Sequence, residues 1–312
     1  MTEIAVQPDP DVVIDRDSGL LDRSERGKLA LTGPEAKAFL GGQVTNDVEA
    51  LEPGRGMYAA LLTPKGKMRA DLRVLDLGDE LWLDTERATL QVLFDALRRG
   101  TIGHAAELHK RTLQQALFSL LGPRAREVAG ADAAGLGPAE HDNARSPLGV
   151  LVTTDLGVDV ICAAEEADRV RQALERAGAV AVPESAAEVR RVETGRPRYG
   201  HELDESVIPQ EAGLNERAVS FTKGCYVGQE TVARLHYRGK PNRQLRGLRL
   251  SAPAASGTPL VLGEREVGHV GSSVVSPRFG PIALALVRRE ASVGDELAAG
   301  SAVAVVAELP FA

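Results

Sequence analysis

Lys223-Gly224-Cys225-Tyr226-Val227-Gly228-Gln229-Glu230 sets one of the chain's two cysteines between two glycines and beside a lysine. A structural cysteine usually sits among apolar residues. This one stands in a polar, glycine-spaced turn, where the backbone can come close to something else. Glu230 to Tyr237 opens a helix, with Val232 and Leu235 on one face. Cys225 therefore lies just ahead of a helix N-terminus. The helix dipole and Lys223 favour its thiolate, and Glu230 opposes it. Two readings follow: a functional thiol, or a tight turn that needs its glycines and a small residue to fill the gap.

Other polar residues also bear chemistry, each with a bland alternative. Glu193 is a carboxylate at a helix end, with Arg190, Arg191 and Arg196 available to pair with it. Asp71 lies on a strand and can face solvent. Asn46-Asp47 can end a helix–loop unit with side-chain turns. Arg234, Arg238, Lys240 and Arg243 form a basic cluster, or simply a solvated face. His236 reads as a surface or capping residue, because no other His or Cys near it in sequence completes a metal set. The second cysteine, Cys162, falls in an apolar strand as a small hydrophobe. Two cysteines make no disulfide framework and fall short of the four that an iron–sulfur cluster usually takes.

These residues need elements to hold them. The chain has 312 residues, 43% hydrophobic and 26% charged, with aromatics at only 4%. A single core stops growing at roughly 250–300 residues, so two or more packed units are expected. A net charge of −7 argues against a nucleic-acid partner. No run of about 20 apolar residues suggests a membrane span, and Met1 to Asp17 does not resemble a signal peptide, so a cytoplasmic location is expected. Residues 1–18 read as a loose or partly ordered arm. Lys28 to Thr32 is a strand, and Pro34 opens a helix that Gly41-Gly42 stops. Three strands follow as a meander: Met57–Thr63, Met68–Leu75 and Glu80–Asp84. The second alternates as a half-buried strand should. Thr85 can cap a helix bearing Leu90, Leu93, Phe94 and Leu97. Leu113–Leu121 is a strand, and residues 130–147, rich in Ala, Gly and Pro, read as a surface connection. Val150–Thr153 and Val158–Ala163 form a hairpin. Helices follow over 165–177 and 184–193. From Gln244 onward short strands alternate with Gly/Pro turns, which predicts an all-β module or barrel.

Several stretches together resemble a known family. They are Phe39 to Val48 (Phe-Leu-Gly-Gly-Gln-Val-Thr-Asn-Asp-Val), Leu62 to Met68, Glu193-Thr-Gly-Arg-Pro, Ile208 to Leu214, and above all Lys223 to Arg234. The chain resembles the YgfZ-type folate-binding proteins, which are related to the aminomethyltransferase (T-protein) of the glycine cleavage system. The likeness runs in order from about residue 25 to 250 and more loosely to the end. It implies an α+β fold: a three-unit cloverleaf of two intertwined α/β subdomains plus a C-terminal β-barrel. The expected divisions are 1–18, 19–240 and 241–312. It also implies tetrahydrofolate or a derivative in a central opening, and a role in assembly or repair of iron–sulfur clusters with client or assembly proteins as partners.

The resemblance assigns roles residue by residue. Glu193 matches the glutamate that holds the pterin ring, where a carboxylate can accept from a ring N–H and an exocyclic amine together. Lys223 is a candidate for the anionic folate tail. Tyr226 packs on the ligand or fills core, and Gln229 and Asn46 complete the folate-binding set. Cys225 is the functional thiol. Asp71 lies where the aminomethyltransferases carry an Asp-Asp pair; here the pair reads Ala70-Asp71, so one acid of the transferase chemistry is missing. Three functions follow: an iron–sulfur assembly or repair factor that is not a conventional enzyme, a folate-dependent aminomethyl or one-carbon transferase, and a protein that stores folate. No resident metal is expected.

Overall fold

The computed structural model describes residues 9–312. Among these residues the expected cloverleaf is present, as one antiparallel sheet, one mixed sheet and one closed barrel. The first sheet runs Gly56–Leu62, Met68–Asp76, Leu81–Thr85, Gly27–Thr32, Glu107–Lys110. The second runs Val180–Ala181, Gly19–Asp22, Gln115–Leu121, Gly157–Ala163, Gly149–Thr153, Asn143–Ser146. The units are intertwined because the chain starts in the second sheet at Gly19, builds the whole first sheet over 27–110, and then returns. Strands 243–250, 280–288, 265–276, 259–262, 296–299 and 302–307 close the barrel.

Each sheet is covered on one face by its own helices, as the local patterns require. Leu93 and Leu97 of helix Leu90–Gly100 pack with Phe39 and Leu40 on Ala70, Leu72 and Val74. Val170 and Leu174 of helix Ala167–Arg176 do the same on Phe118, Val158 and Val160. The other faces of the two sheets meet. Leu75 and Trp82 from the first pack on Leu117, Val152 and Ile161 from the second. Fully burying side chains of this size contributes about 1.5–3 kcal/mol each. Cys162 lies in this second unit as the small hydrophobe it was expected to be, and burial pushes its thiol up to about 11.

Several sequence expectations change. Pro10–Arg16 is not a loose arm but a helix, capped by the Asp9 carboxylate and buried through Val13 and Ile14 against Leu21, Leu121 and Val182. Residues 1–8 of the expected arm lie outside the described residues. Met68–Asp76 is not half-exposed; it is buried on both faces, because the second sheet covers its polar side. Thr85 caps no helix: its hydroxyl donates to the Asp71 carbonyl at 2.5 Å. Residues 130–147 are more than a surface connection, since Ala133, Leu136, His141, Asp142 and Asn143 are buried.

Candidate functional site

Where the sheets meet, their polar residues line a cavity of about 220 Å³. Alternation along Met68–Asp76 puts Asp71, Arg73 and Leu75 on the side facing the second sheet. Arg73 Nε donates to Asp84 Oδ2 at 2.7 Å and Nη1 to Asp159 Oδ2 at 2.7 Å. Arg26 Nη2 donates to Asp84 Oδ1 at 2.8 Å, and its Nη1 reaches Glu86. Ser119 Oγ donates to Asp159 Oδ1 at 2.7 Å. This buried ion chain stitches the sheets together beneath the cavity. Arg198 extends it by pairing with both Glu86 and Glu184.

Asp71 is the exception in this satisfied network. The Tyr58 hydroxyl donates to its Oδ2 at 2.5 Å, but Oδ1 is buried with no partner. Burial pushes the Asp71 carboxyl above its ordinary range; the Tyr58 hydrogen bond and Arg26 oppose this without overcoming it. Tyr58 itself lies under the Arg217 guanidinium, 5.1 Å from the ring centroid. An unmet carboxylate oxygen is costly unless something with N–H groups completes it. Arg196 adds an unmet donor: its Nε pairs with Asp155 at 3.1 Å, while its Nη1 is buried without a partner. Leu121 and Leu156 supply apolar wall. With His141 Nδ1, also buried without a partner in the lining, the cavity offers two unmatched acceptors, one unmatched donor and apolar wall, which suits a polar heterocycle with an anionic tail.

The structure brings only part of the expected set to this cavity. Asp71 lines it and is buried, not solvent-facing. Asn46 holds it from behind: Nδ2 donates to the carbonyls of Tyr58 at 2.9 Å and Arg217 at 3.3 Å, fixing two lining residues. Glu193 does not reach it. Its carboxylate accepts from Arg190 Nη1 at 2.8 Å, from Ser276 Oγ at 2.5 Å and from Arg278. Burial would raise its carboxyl, but these bonds hold it below its ordinary range. Glu193 therefore clamps helix Glu184–Glu193 to the barrel, as the plain ion-pair reading had it. The face that helix turns to the cavity carries Ala187, Glu188 and Arg191 instead.

Lys223, Tyr226 and Gln229 are also away from the cavity lining. Lys223 Nζ donates to the carbonyls of Val44 at 2.9 Å, Asn46 at 2.8 Å and Gly41. It satisfies the end of helix Ala36–Gln43 and is no free cation for a ligand tail. Burial brings its ammonium down to about 8, against the pull of Asp47 and Glu49. Tyr226 is core, packed with Ala60, Leu62, Met68 and Val232. Gln229 opens helix Gln229–Arg238. Of the expected basic rim, Arg243 pairs with Glu211, and Arg234, Arg238 and Lys240 are exposed and outside the cavity lining. His236 stacks on Phe221 with centroids 3.8 Å apart.

Cys225 is exposed and outside the cavity lining. Its two glycines differ in purpose. Gly228 has φ +86, and a Cβ there would sit 2.5 Å from the Thr63 carbonyl oxygen, so the turn packs backbone to backbone on the Pro64-Lys65-Gly66 turn. A Cβ on Gly224 would meet nothing within 4 Å, which leaves the thiol approachable from that side. Lys223 is thus the anchor of the turn that displays Cys225. Replacing it by Met should leave its carbonyl partners unmet, cost about 1–3 kcal/mol, and raise amide exchange over residues 41–46 together with the alkylation rate of Cys225. Unchanged exchange and alkylation would show that the clasp does not hold the turn.

Sequence reasoning missed Arg26, Tyr58, Arg73, Asp84 and His141, and set Arg196 beside Glu193, whereas it pairs with Asp155 and Glu140 at the cavity. The signal available was the run of charged residues on alternate strand positions, which reads as solvent-facing until a second sheet is placed over it. Among the described residues no group of three or more His, Cys, Asp or Glu could hold a metal ion, and no helix is long and apolar enough to cross a membrane.

The fold and the sequence both have known counterparts. A family model for the GCVT N-terminal domain matches residues 12–135, and one for the glycine cleavage T-protein C-terminal barrel domain matches residues 243–311. The chain is 32% identical to an aminomethyltransferase of Streptomyces avermitilis, over 94% of this chain and 86% of that one. It is 30% identical to an aminomethyltransferase of Rubrobacter xylanophilus, over 90% and 78%. The crystal structure of the glycine cleavage system aminomethyltransferase T from Bartonella henselae superposes with a TM-score of 0.86 at 23% identity, covering 97% of this chain and 88% of that one. With both of its domains matched in order and relatives aligned along most of their length, the chain belongs to the T-protein-like aminomethyltransferase family.

Proposed function

We propose that the protein holds a reduced folate in the central cavity and supports assembly or repair of iron–sulfur clusters in client enzymes, with Cys225 as the working thiol. The observation that carries this reading is the separation of two unmet chemistries. The buried Asp71 Oδ1 and Arg196 Nη1 lack partners in the cavity, and an approachable thiol is displayed elsewhere. A folate fits the first. Asp71 Oδ1 would accept from the pterin N–H and amine edge, with Tyr58 fixing the other oxygen. Arg196 would donate to a tail carboxylate, and the leucines would flank the ring. When bound, tetrahydrofolate supplies nitrogens that can carry a one-carbon unit. A client would meet Cys225 without entering the cavity, because the thiol is exposed and outside the cavity lining.

A second reading, transfer of an aminomethyl or other one-carbon unit to tetrahydrofolate, is favoured by the unmatched Asp71 carboxylate in the cavity and by the names of the relatives. The two separate cleanly. Cys225→Ser should leave the Tm and tetrahydrofolate affinity of the purified protein unchanged, because the side chain is exposed. A strain carrying only that variant should lose most of its client iron–sulfur enzyme activity. Full client activity in that strain would sink the cluster-maintenance reading. Product formed from an aminomethyl donor and tetrahydrofolate, seen by mass spectrometry, would replace it with the transferase.

A further inference from the structure

His141 lines the same cavity, and no other part of the site accounts for it. Its backbone is left-handed, with φ +74, among the described residues the one non-glycine in that region. Such a conformation costs energy and persists where neighbours over-determine it. They do so here. The His141 N–H donates to the Thr153 carbonyl at 2.8 Å, and the Thr153 N–H donates to the Asp142 carbonyl at 2.8 Å. Asp142 is held by Arg55 at 2.7 Å, and Asn143 Nδ2 reaches the Arg55 carbonyl at 2.8 Å. The strand that carries Tyr58 lies close against the His141 backbone: a Cβ on Gly56 would lie 2.7 Å from both the Cβ and the carbonyl oxygen of His141. Loop and strand thus fix the backbone that presents this imidazole.

The imidazole is buried, and its Nδ1 has no hydrogen-bond partner. Its Nε2 lies 3.6 Å from Glu140 Oε1. A proton on Nε2 faces that carboxylate, which leaves Nδ1 with a free lone pair. Burial first, and Arg73 second, push the ring down to about 4, so it is neutral at pH 7; Glu140, Asp84 and Asp159 pull the other way without reversing this. With the one proton of the neutral ring on Nε2, facing Glu140, Nδ1 accepts.

The geometry points to His141 Nδ1 as the acceptor by which the cavity selects a reduced over an oxidised pterin ring; this rests on the folate reading above. The reasoning is chemical. A carboxylate at Asp71 matches the pterin N3–H and 2-amine, which are present in every oxidation state and discriminate nothing. Reduction converts ring nitrogens 5 and 8 from acceptors to N–H donors. An acceptor placed against either one gains a hydrogen bond with the reduced ring and meets a lone pair in the oxidised one. A site built to pair with a polar group rejects an analogue lacking it, because its own buried atom is then left unmet.

The test is anaerobic calorimetric titration of the full chain with tetrahydrofolate and, separately, folic acid. The wild type should favour tetrahydrofolate. His141→Gly relaxes the left-handed backbone, so it folds, and removes the acceptor; the preference should shrink by roughly tenfold, about one hydrogen bond. His141→Asn tolerates the same backbone and restores an acceptor oxygen, so it should recover part of the preference. A wild-type preference that survives intact in a folded His141→Gly protein overturns this assignment and leaves the folate reading standing. Failure of the wild type to bind either compound overturns both.

Discussion

Arg73→Met should lower the apparent Tm by roughly 5–8 °C, the equivalent of about 3–5 kcal/mol in a chain of this size. Arg73 is buried between the sheets and bonds to Asp84 from one and Asp159 from the other. Removing it leaves Asp84 with Arg26, but leaves the Asp159 carboxylate with only a serine hydroxyl. An uncompensated buried charge is what makes breaking such a pair expensive. Adding Asp159→Asn to the variant should therefore recover a good part of the loss, which a double-mutant cycle followed by thermal melting would read directly. Strict additivity would mean that Arg73 acts through packing alone.

The same network sets an acid limit. Burial would raise the Asp84 carboxyl, but the Arg73 and Arg26 guanidiniums overcome it and hold it at about 2, below its ordinary 3.8. A carboxyl depressed by folding contributes stability that is present above its unfolded pKa and lost as pH falls through the folded one. Wild-type Tm should therefore drop between about pH 4 and pH 2, and the Arg73→Met curve should be flatter there. Parallel curves would show that Arg73 does not hold Asp84 down.

Asp71→Asn should weaken tetrahydrofolate binding by about tenfold to a hundredfold, the loss of one charge-assisted acceptor, and should raise the Tm. The two effects share a cause. Burial raises the Asp71 carboxyl, so the folded state favours its neutral form, and its charge opposes folding at pH 7. Asparagine keeps the shape, removes the charge and turns an acceptor toward a donor. Glu193→Gln should do the reverse. Its carboxylate is spent on Arg190, Arg278 and Ser276, so the variant should lose stability and keep its affinity within about threefold, less than one hydrogen bond. Calorimetric titration of both variants beside the wild type, with melting curves, separates them. A large binding defect in Glu193→Gln with full affinity in Asp71→Asn would move the pterin site to the Glu193 helix end.

Much of the architecture was legible in residue order. The meander before residue 86, the hairpin over 149–163, the helix ending at Glu193 and the barrel after residue 243 all follow from periods of two and 3.6 that neighbouring residues express locally. The family is carried by Lys223 to Arg234, whose glycine and lysine positions turn out to have structural tasks as well: Gly228 accepts a backbone contact, and Lys223 caps a helix. Local chemistry also identified Cys162 as buried.

The site was less legible. Arg73 and Asp159 are 86 positions apart, and Tyr58 and Arg217 meet only through folding. Ion pairs at such separations have no period to read. Lys223 and Glu193 looked available for a ligand because sequence shows charge without showing what takes it up; three carbonyls and a two-arginine cage do so here. The short loop around His141 carries no pattern at all. By itself the sequence determined the elements, their order and the exposed thiol motif, because these depend on near neighbours. Only the tertiary structure decided which polar groups are left without partners, because satisfaction of a buried charge is settled by residues from other sheets, after all the packing is in place.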